Sequence, residues 1–465
     1  AALDEALVAV LRSGAIKLLR AEFLRADGSE AMLPKLLHRQ ELERMELKRG
    51  ICVFLTPEEA VAALRSLRRE VAGLTYGWAS PDHPDVTGEY LANVRRFLRD
   101  PLGEHVTGLF WECAAAPDPP RTQWLRCVIG RPSLCAFPHL TLLSHSAAPA
   151  PRAPPLRSFS SLPQKPRTAA EDEFFYQALK VMGDVYASLF GTIVIRHRSV
   201  PARPAELDGE VVILVEKGGG LDGAGAEAEL RSALGAFENP RYEEGRWRVR
   251  FPTHAAAEEA VEAAAAADAL PGAIAVFLFY NSRPYLARGW TTFESAVSTE
   301  ALVRLAYFPG LGKLLEERLP PKVIEIDGEG PRVAEAEDRA DEGMGPRNKR
   351  VIAAIKEASF TGKGDKPVVV ELYREYAVKV NIAMARSGEV PKGEYEGEYN
   401  AAGEREGPGV MRFANGNVYD GEWKAGKREG RGVMRFADGE VYDGEWKAGL
   451  PEGRGVYRYA DDDVY

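Results

Sequence analysis

The tail of this chain repeats itself, and a repeat of this length restricts the fold more than any other feature. Gly421-Glu422-Trp423-Lys424-Ala425-Gly426 returns as Gly444-Glu445-Trp446-Lys447-Ala448-Gly449, 23 residues later. The pattern Y-x-G-x-W-x-x-G-x-x-x-G-x-G-x-x-x-[FY]-x-x-G begins at Tyr419 and, without its last glycine, again at Tyr442. A looser copy begins at Tyr395, with Tyr399 in place of the tryptophan. A fixed period of this size marks units that bury an apolar face only by stacking on their neighbours. Alternate residues of an extended chain share a face. Tyr419, Gly421 and Trp423 therefore point one way, and Asp420, Glu422 and Lys424 the other. In the next run Gly430, Gly432, Met434 and Phe436 share a face. Joining the two runs through Lys424–Glu429 makes a hairpin. Glycine opposite an aromatic leaves room for the ring to lie over the next strand. The expected product is an open, single-layer, all-β sheet of hairpins over 392–465.

This motif resembles the MORN repeat. The resemblance implies a module that holds a partner protein, another copy of itself or a phosphoinositide-bearing membrane surface. The repeat aromatics Tyr395, Tyr399, Tyr419, Trp423, Phe436, Tyr442, Trp446 and Tyr459 are its expected binding residues. Tyr395 to Tyr465 hold ten Lys/Arg and fifteen Asp/Glu. A net negative segment is repelled by anionic lipid, so a protein partner or self-association is expected ahead of a membrane. The third copy reads Asp461-Asp462-Asp463 where glycine belongs, and Tyr465 opens a would-be fourth. An unfinished sheet edge is a liability, so the array is expected to continue, and a start at Ala1 without Met fits a fragment.

Composition bounds the rest. A chain of 465 residues has room for roughly three domains, and 45% hydrophobic with 28% charged residues is ordinary for a globular protein. The net charge of −9 argues against a dominant nucleic-acid surface. No apolar run approaches the roughly 20 residues of a membrane span, and Asp4 and Glu5 interrupt any secretory signal. Cys52, Cys113, Cys127 and Cys135 have no metal or disulfide spacing, so a reducing, cytoplasmic setting is expected, peripheral to a membrane or the cytoskeleton at most. Seven scattered histidines give no metal-ligand pair, and the glycine runs at 218–220 and 362–364 lack phosphate-loop spacing.

Before the tail, residues 1–50 read as helical. Ile51–Leu55 reads as a short buried strand, and Thr56 with Glu59 forms a capping box for the helix that follows. Strands at 74–78, 106–111 and 192–195 alternate with helices, the order of an α/β parallel sheet with helices on both faces. Residues 114–160 are Pro/Ala-rich with one acid, and read as a disordered insertion. Residues 208–272 read as a ferredoxin-like α+β insertion, closed by a strand at 273–279. This insert resembles an RNA-recognition domain, with Gly245-Arg246-Trp247-Arg248-Val249-Arg250-Phe251 at the stacking motif. However, Trp247, Val249 and Phe251 share the core parity and the arginines the outer one. Residues 329–391 read as linker and helices, with a hinge at 387–391.

Segments 51–113, 161–207 and 273–328 together resemble a TIR-type, flavodoxin-like domain. Trp78 ends its first strand, Glu112 follows the second, Leu162-Pro163-Gln164 leads into the second helix, and Trp290 and Glu294 match a Trp-Cys-x-x-Glu element with Thr291 in place of Cys. The Arg288-Gly289-Trp290 segment also resembles one in protist and algal proteins, across about 50–390, without a known activity. The TIR resemblance implies cleavage of NAD. Glu294 would be the carboxylate beside the ribose, and Arg283, Arg288 and Trp290 would receive phosphates or stack on a base. The plainer reading has Trp290 and Phe293 anchoring a helix, Arg288 paired with an acid and Glu294 in solvent.

The expectation is a non-catalytic scaffold without cofactor or metal. An NAD hydrolase using Glu294 is the alternative, and RNA binding through 208–280 a second.

Overall fold

The computed structural model describes residues 4–26, 28, 32–80, 83–111, 168–215, 218–222, 224–243, 245–267, 270, 272–305, 315–335, 344–360, 365–386, 393–413, 416–436 and 439–458. The insertion at 114–160, the hinge at 387–391, Glu112, Leu162-Pro163-Gln164, Tyr459 and three of the four cysteines lie outside them.

A six-stranded sheet organises the larger body. It comprises β1 (Leu19–Arg20), β2 (Val71–Tyr76), β3 (Gly108–Trp111), β4 (Thr192–His197), β9 (Val323–Ile326) and β10 (Arg332–Val333), in the order β1-β3-β2-β4-β9-β10. The four central strands are parallel and the two short edges antiparallel. Val71 faces Gly108 on one side and Thr192 on the other. β2 and β4 are buried at every residue, as parallel strands covered on both faces must be. In chain order the central strands run second, first, third, fourth, which is how the flavodoxin-like doubly wound order begins.

The helices α1 (Glu5–Arg12), α2 (Pro57–Arg65), α3 (Glu89–Leu98), α4 (Ala169–Ala187), α5 (Glu227–Leu234), α6 (His254–Ala267), α7 (Gly289–Leu305), α8 (Met344–Glu357) and α9 (Asp365–Arg386) follow in sequence. α1, α2, α4, α7, α8 and α9 share one core, and α3 lies in the core on the opposite face. α7 packs against α4, α8 and α9 at once. The Thr56–Glu59 capping box is formed at the start of α2.

Three local expectations are corrected. Ile51–Leu55 makes only a single bridge, Phe54 to Leu19, because β1 takes the edge position beside β3. The first parallel strand starts at Val71, earlier than 74. The first fifty residues, although largely helical, supply β1 and join both cores.

The small sheet contains β5 (Glu210–Val215), β6 (Glu238–Glu243), β7 (Arg246–Arg250) and β8 (Ala273–Leu278), ordered β6-β7-β5-β8 and antiparallel throughout. This is the β-α-β-β-α-β split arrangement. Since β8 pairs with β5, the small sheet takes in 273–278, which the sequence boundaries assign to the larger domain. Trp247, Val249 and Phe251 are buried in its core.

The tail is a third sheet, a six-stranded antiparallel meander of β11 (Gly393–Tyr399), β12 (Arg405–Phe413), β13 (Val418–Lys424), β14 (Lys427–Arg435), β15 (Val441–Lys447) and β16 (Leu450–Arg458). Each strand pairs with its sequence neighbours, and among the described strands β11 and β16 stand at the ends of the order. α9 passes beside β16. The connections inside repeats two and three are tighter than Lys424–Glu429. Ala425 and Gly426 both have positive φ (48° and 76°), as do Ala448 and Gly449 (52° and 90°), and Lys424 already pairs with Lys427. Two left-handed residues in a two-residue loop match the right-handed twist of the flanking strands.

Candidate functional site

Two places merit attention: a cavity between the two α/β units, and the faces of the repeat sheet. The cavity, about 500 Å³, opens between β8 and the loop from Asn281 into α7, at the carboxyl end of β2. In open α/β sheets ligands bind at such ends. Trp78, Phe277, Arg283, Arg288, Trp290 and Phe360 are in its wall, with Glu258 and Glu262 of α6.

The segment leading into α7 is fastened at nearly every residue. Arg288 is buried, and its guanidinium donates to the carbonyls of Arg283, Trp78 and Asn281 at 3.0, 2.7 and 2.8 Å. These three carbonyls hold it in place. Gly77 makes room for it, since a Cβ there would lie 2.6 Å from the Arg288 Cζ. The ring of Phe360 fills the space where a Cβ on Gly289 would stand. Trp290 Nε1 donates to Asp365 at 3.2 Å, and its ring meets Phe293 edge-on. Thr291, at the cysteine position of the TIR-like element, donates to main-chain carbonyls. Of the four sequence candidates here, Arg283 is exposed in the cavity wall, while Arg288 and Trp290 reach it from fixed positions.

Glu294 is not in that wall. It is 2% exposed and lies beneath the cavity on the sheet side of α7, which also excludes the solvated alternative. Thr75 Oγ1 donates to its Oε2 at 2.5 Å. With that proton committed, the Tyr285 hydroxyl 2.8 Å away donates to Thr75. Burial pushes the Glu294 carboxyl up to about 8, so it holds a proton at neutral pH. A buried protonated acid is a poor partner for a cationic ribosyl centre. Neither Thr75 nor Tyr285 is legible as its partner, because 219 and 9 residues of chain separate them from it with no periodicity to connect them.

His83 lies in the loop between β2 and α3. Asp85 N–H donates to its Nδ1, and its Nε2 lies 2.9 Å from the Leu36 carbonyl, so it braces the loop. In the small sheet, Arg248 and Arg250 pair with buried Glu210 at 2.5 and 3.1 Å, and Arg248 also covers Phe279. Two of the three arginines of outer parity are thus engaged with Glu210. Among the described residues no group of His, Cys, Asp and Glu is placed to hold a metal ion.

The repeat sheet is built on a glycine row. Gly397, Gly409, Gly421, Gly432, Gly444 and Gly455 stand opposite one another from strand to strand. Tyr395, Tyr419 and Tyr442 lie across successive pairs, where a Cβ on Gly421 would sit 2.6 Å from the Tyr419 hydroxyl. Trp423 packs edge-on between Tyr395 and Tyr419, and Trp446 between Tyr419 and Tyr442. Their indoles donate to the carbonyls of Gly409 and Gly432. Arg405 lies over Trp423 at 4.3 Å and Arg428 over Trp446 at 4.5 Å. Their separation equals the repeat period, a signal the sequence carried unread; the third position is Pro451.

The residues expected to bind are therefore mostly used inside the sheet. Tyr419, Trp423 and Trp446 are buried, while Tyr395, Phe436 and Tyr442 are half-buried. Tyr399 is 58% exposed. The opposite face is charged and open. Arg412, Arg431, Arg435, Arg454 and Arg458 project from β12, β14 and β16, and Asp420, Glu422, Asp443 and Glu445 from β13 and β15.

The MORN repeat family model matches residues 395–418, 419–441 and 442–464. The tail is a MORN-repeat array. The match spans three consecutive units whose phase coincides with the hairpins β11–β12, β13–β14 and β15–β16. No curated protein matches the chain. Among the described residues no helix is long and apolar enough to cross a membrane.

Proposed function

We propose that this protein is a non-catalytic scaffold in which the MORN sheet holds a protein partner. MORN repeats are modules of protein and membrane interaction. The observation that carries this reading is the division of labour between the sheet's faces. The rings and arginines of one face satisfy each other, leaving strands of alternating charge open on the other. Alternating charge selects a complementary protein surface. It gives anionic lipid no continuous basic patch, and acids outnumber bases in the tail as a whole.

Flotation with phosphoinositide-bearing vesicles tests the choice of surface, and the expected result is that the protein does not float. Affinity capture tests the face. Asp420→Lys with Asp443→Lys abolishes capture of proteins retained by the parent chain, with the circular dichroism unchanged. Flotation together with unaltered capture overturns the reading.

The cavity favours a second reading, in which a small ligand such as NAD lies between Trp78, Arg283 and Trp290. Cleavage of NAD by Glu294 is disfavoured by the acid's burial. Nicotinamide release by the parent chain, lost in Glu294→Ala, would restore that activity as the main function.

A further inference from the structure

The cavity between the two α/β units runs along one side of β8. Ala275, Val276, Phe277 and Leu278 all line it, although successive side chains of a strand point to opposite faces. A run of consecutive residues in the wall means that the cavity meets this strand along its main chain. Hydrogen bonding in the small sheet leads to the same place. The Phe279 amide donates to the Glu210 carbonyl, and Phe277 and Ala275 stand opposite Val212 and Leu214. Antiparallel partners exchange main-chain bonds at alternate residues. Phe277 and Ala275 are therefore committed to β5, while the N–H and C=O groups of Val276 and Leu278 face the cavity. Among the described strands, β8 pairs only with β5.

A row of such groups beside open space is a template for an added strand. The space is large enough for one. From strand rise, strand spacing and sheet thickness, a residue in a sheet takes up about 160 Å³. A cavity of about 500 Å³ therefore holds roughly three extended residues, about the stretch that 276–278 presents. Charge selects the occupant. Val276 and Leu278 turn their side chains toward the core shared with α6. Glu258 and Glu262, one turn apart on α6, are exposed in the cavity wall on that side. Side chains of an added strand that point the same way as Val276 meet these two carboxylates. Arg283, an exposed base of the wall, belongs to the loop across from β8.

We propose that this cavity takes an extended segment of a partner protein, added as a strand to β8. Lysine or arginine occupies the alternate positions facing Glu258 and Glu262, with apolar side chains between them. Main-chain pairing supplies affinity in such an arrangement, and the alternate side chains supply specificity. This place is separate from the repeat sheet. It also gives the cavity a basic peptide instead of a dinucleotide, whose phosphates the two glutamates oppose.

Fluorescence anisotropy of the full chain with a short labelled peptide, alternating valine and lysine and blocked at both ends, tests this. The expected result is saturable binding. Glutamate in place of the lysines weakens it about tenfold or more. Methylation of the peptide's backbone nitrogens abolishes it, because the donors of the added strand are gone. General attraction of a basic peptide to an acidic protein would survive that methylation. Glu258→Lys with Glu262→Lys reverses the preference, so that the glutamate peptide binds better, with the circular dichroism unchanged. The proposal is overturned if the parent chain does not bind the lysine peptide, or if it binds the methylated one equally well. A preference that the double variant leaves as it was also overturns it. Each of these failures leaves partner capture by the repeat sheet untouched, so the two readings stand or fall separately.

Discussion

The guanidinium of Arg428 lies over the indole of Trp446, 4.5 Å from the ring centroid, and its Nη2 donates to the Gly449 carbonyl at 2.7 Å. One side chain thus connects the aromatic ladder to the turn of the next hairpin. Burial lowers its pKa to about 10, which leaves it charged at neutral pH. Arg405 does the same one repeat earlier, donating to the Gly426 carbonyl. The sheet's order depends on close approach of rings to bare backbone, and that makes it sensitive to single carbons.

Gly432→Ala tests this sensitivity. A Cβ there would meet the Tyr419 ring at 2.5 Å, with no room to relax because Gly421 stands opposite. The cost expected for overpacking is about 1–3 kcal/mol. Unfolding of the tail, followed by fluorescence of Trp423 and Trp446, should shift to lower denaturant by that amount.

Ala425→Asn should act in the opposite direction. Ala425 is held at a φ of 48° in a two-residue turn before Gly426, where Asn-Gly is preferred. Relief of that backbone preference raises stability by about 0.5 kcal/mol. Equilibrium denaturation of the two proteins side by side checks it.

Glu294 predicts a pH signature. Its folded pKa, about 8, lies above the ordinary 4.5. Between those values the folded state keeps a proton that the unfolded state releases, so this contribution to stability falls as pH rises, by about 1 kcal/mol per unit. Glu294→Gln removes the slope, and the variant gains on the parent from pH 5 to 8. His197 works in the other direction. Burial lowers it to about 4, so its contribution is lost as pH falls from 6.5 toward 4. Parallel denaturation series at several pH values separate the two.

Arg347 and Glu300 form a buried ion pair, both within 2% exposure, and Tyr373 donates to the same Glu300 oxygen at 3.1 Å. Arg347→Met should cost about 3–5 kcal/mol by stranding the acid, whereas Arg347→Met with Glu300→Leu should recover most of it. Thermal unfolding of the single and double variants distinguishes the cases.

Much of the fold was legible because its signals are local or periodic. The capping box at Thr56 needs only four residues, and the parity of Trp247, Val249 and Phe251 needs only a strand. Contacts between distant segments leave no such trace. Arg288 on three carbonyls, Lys322 donating to Ser188 and Thr192, and Thr75 beneath Glu294 all join residues far apart in sequence. Glu294 illustrates the difference. Its spacing from Trp290 suggested a site, but which side of α7 faces the cavity follows from packing against β2 and α4.

The amino-acid order by itself determined that the tail would be a sheet of aromatic–glycine hairpins, because a 23-residue period repeats the same steric demand at each unit. It also determined that strands and helices would alternate ahead of it. Tertiary structure alone decided that the aromatics would be used up inside the sheet, leaving charge outside, and that the one candidate acid would be sealed away from its cavity. Alternation assigns a residue to a face, but exposure depends on what else is packed there.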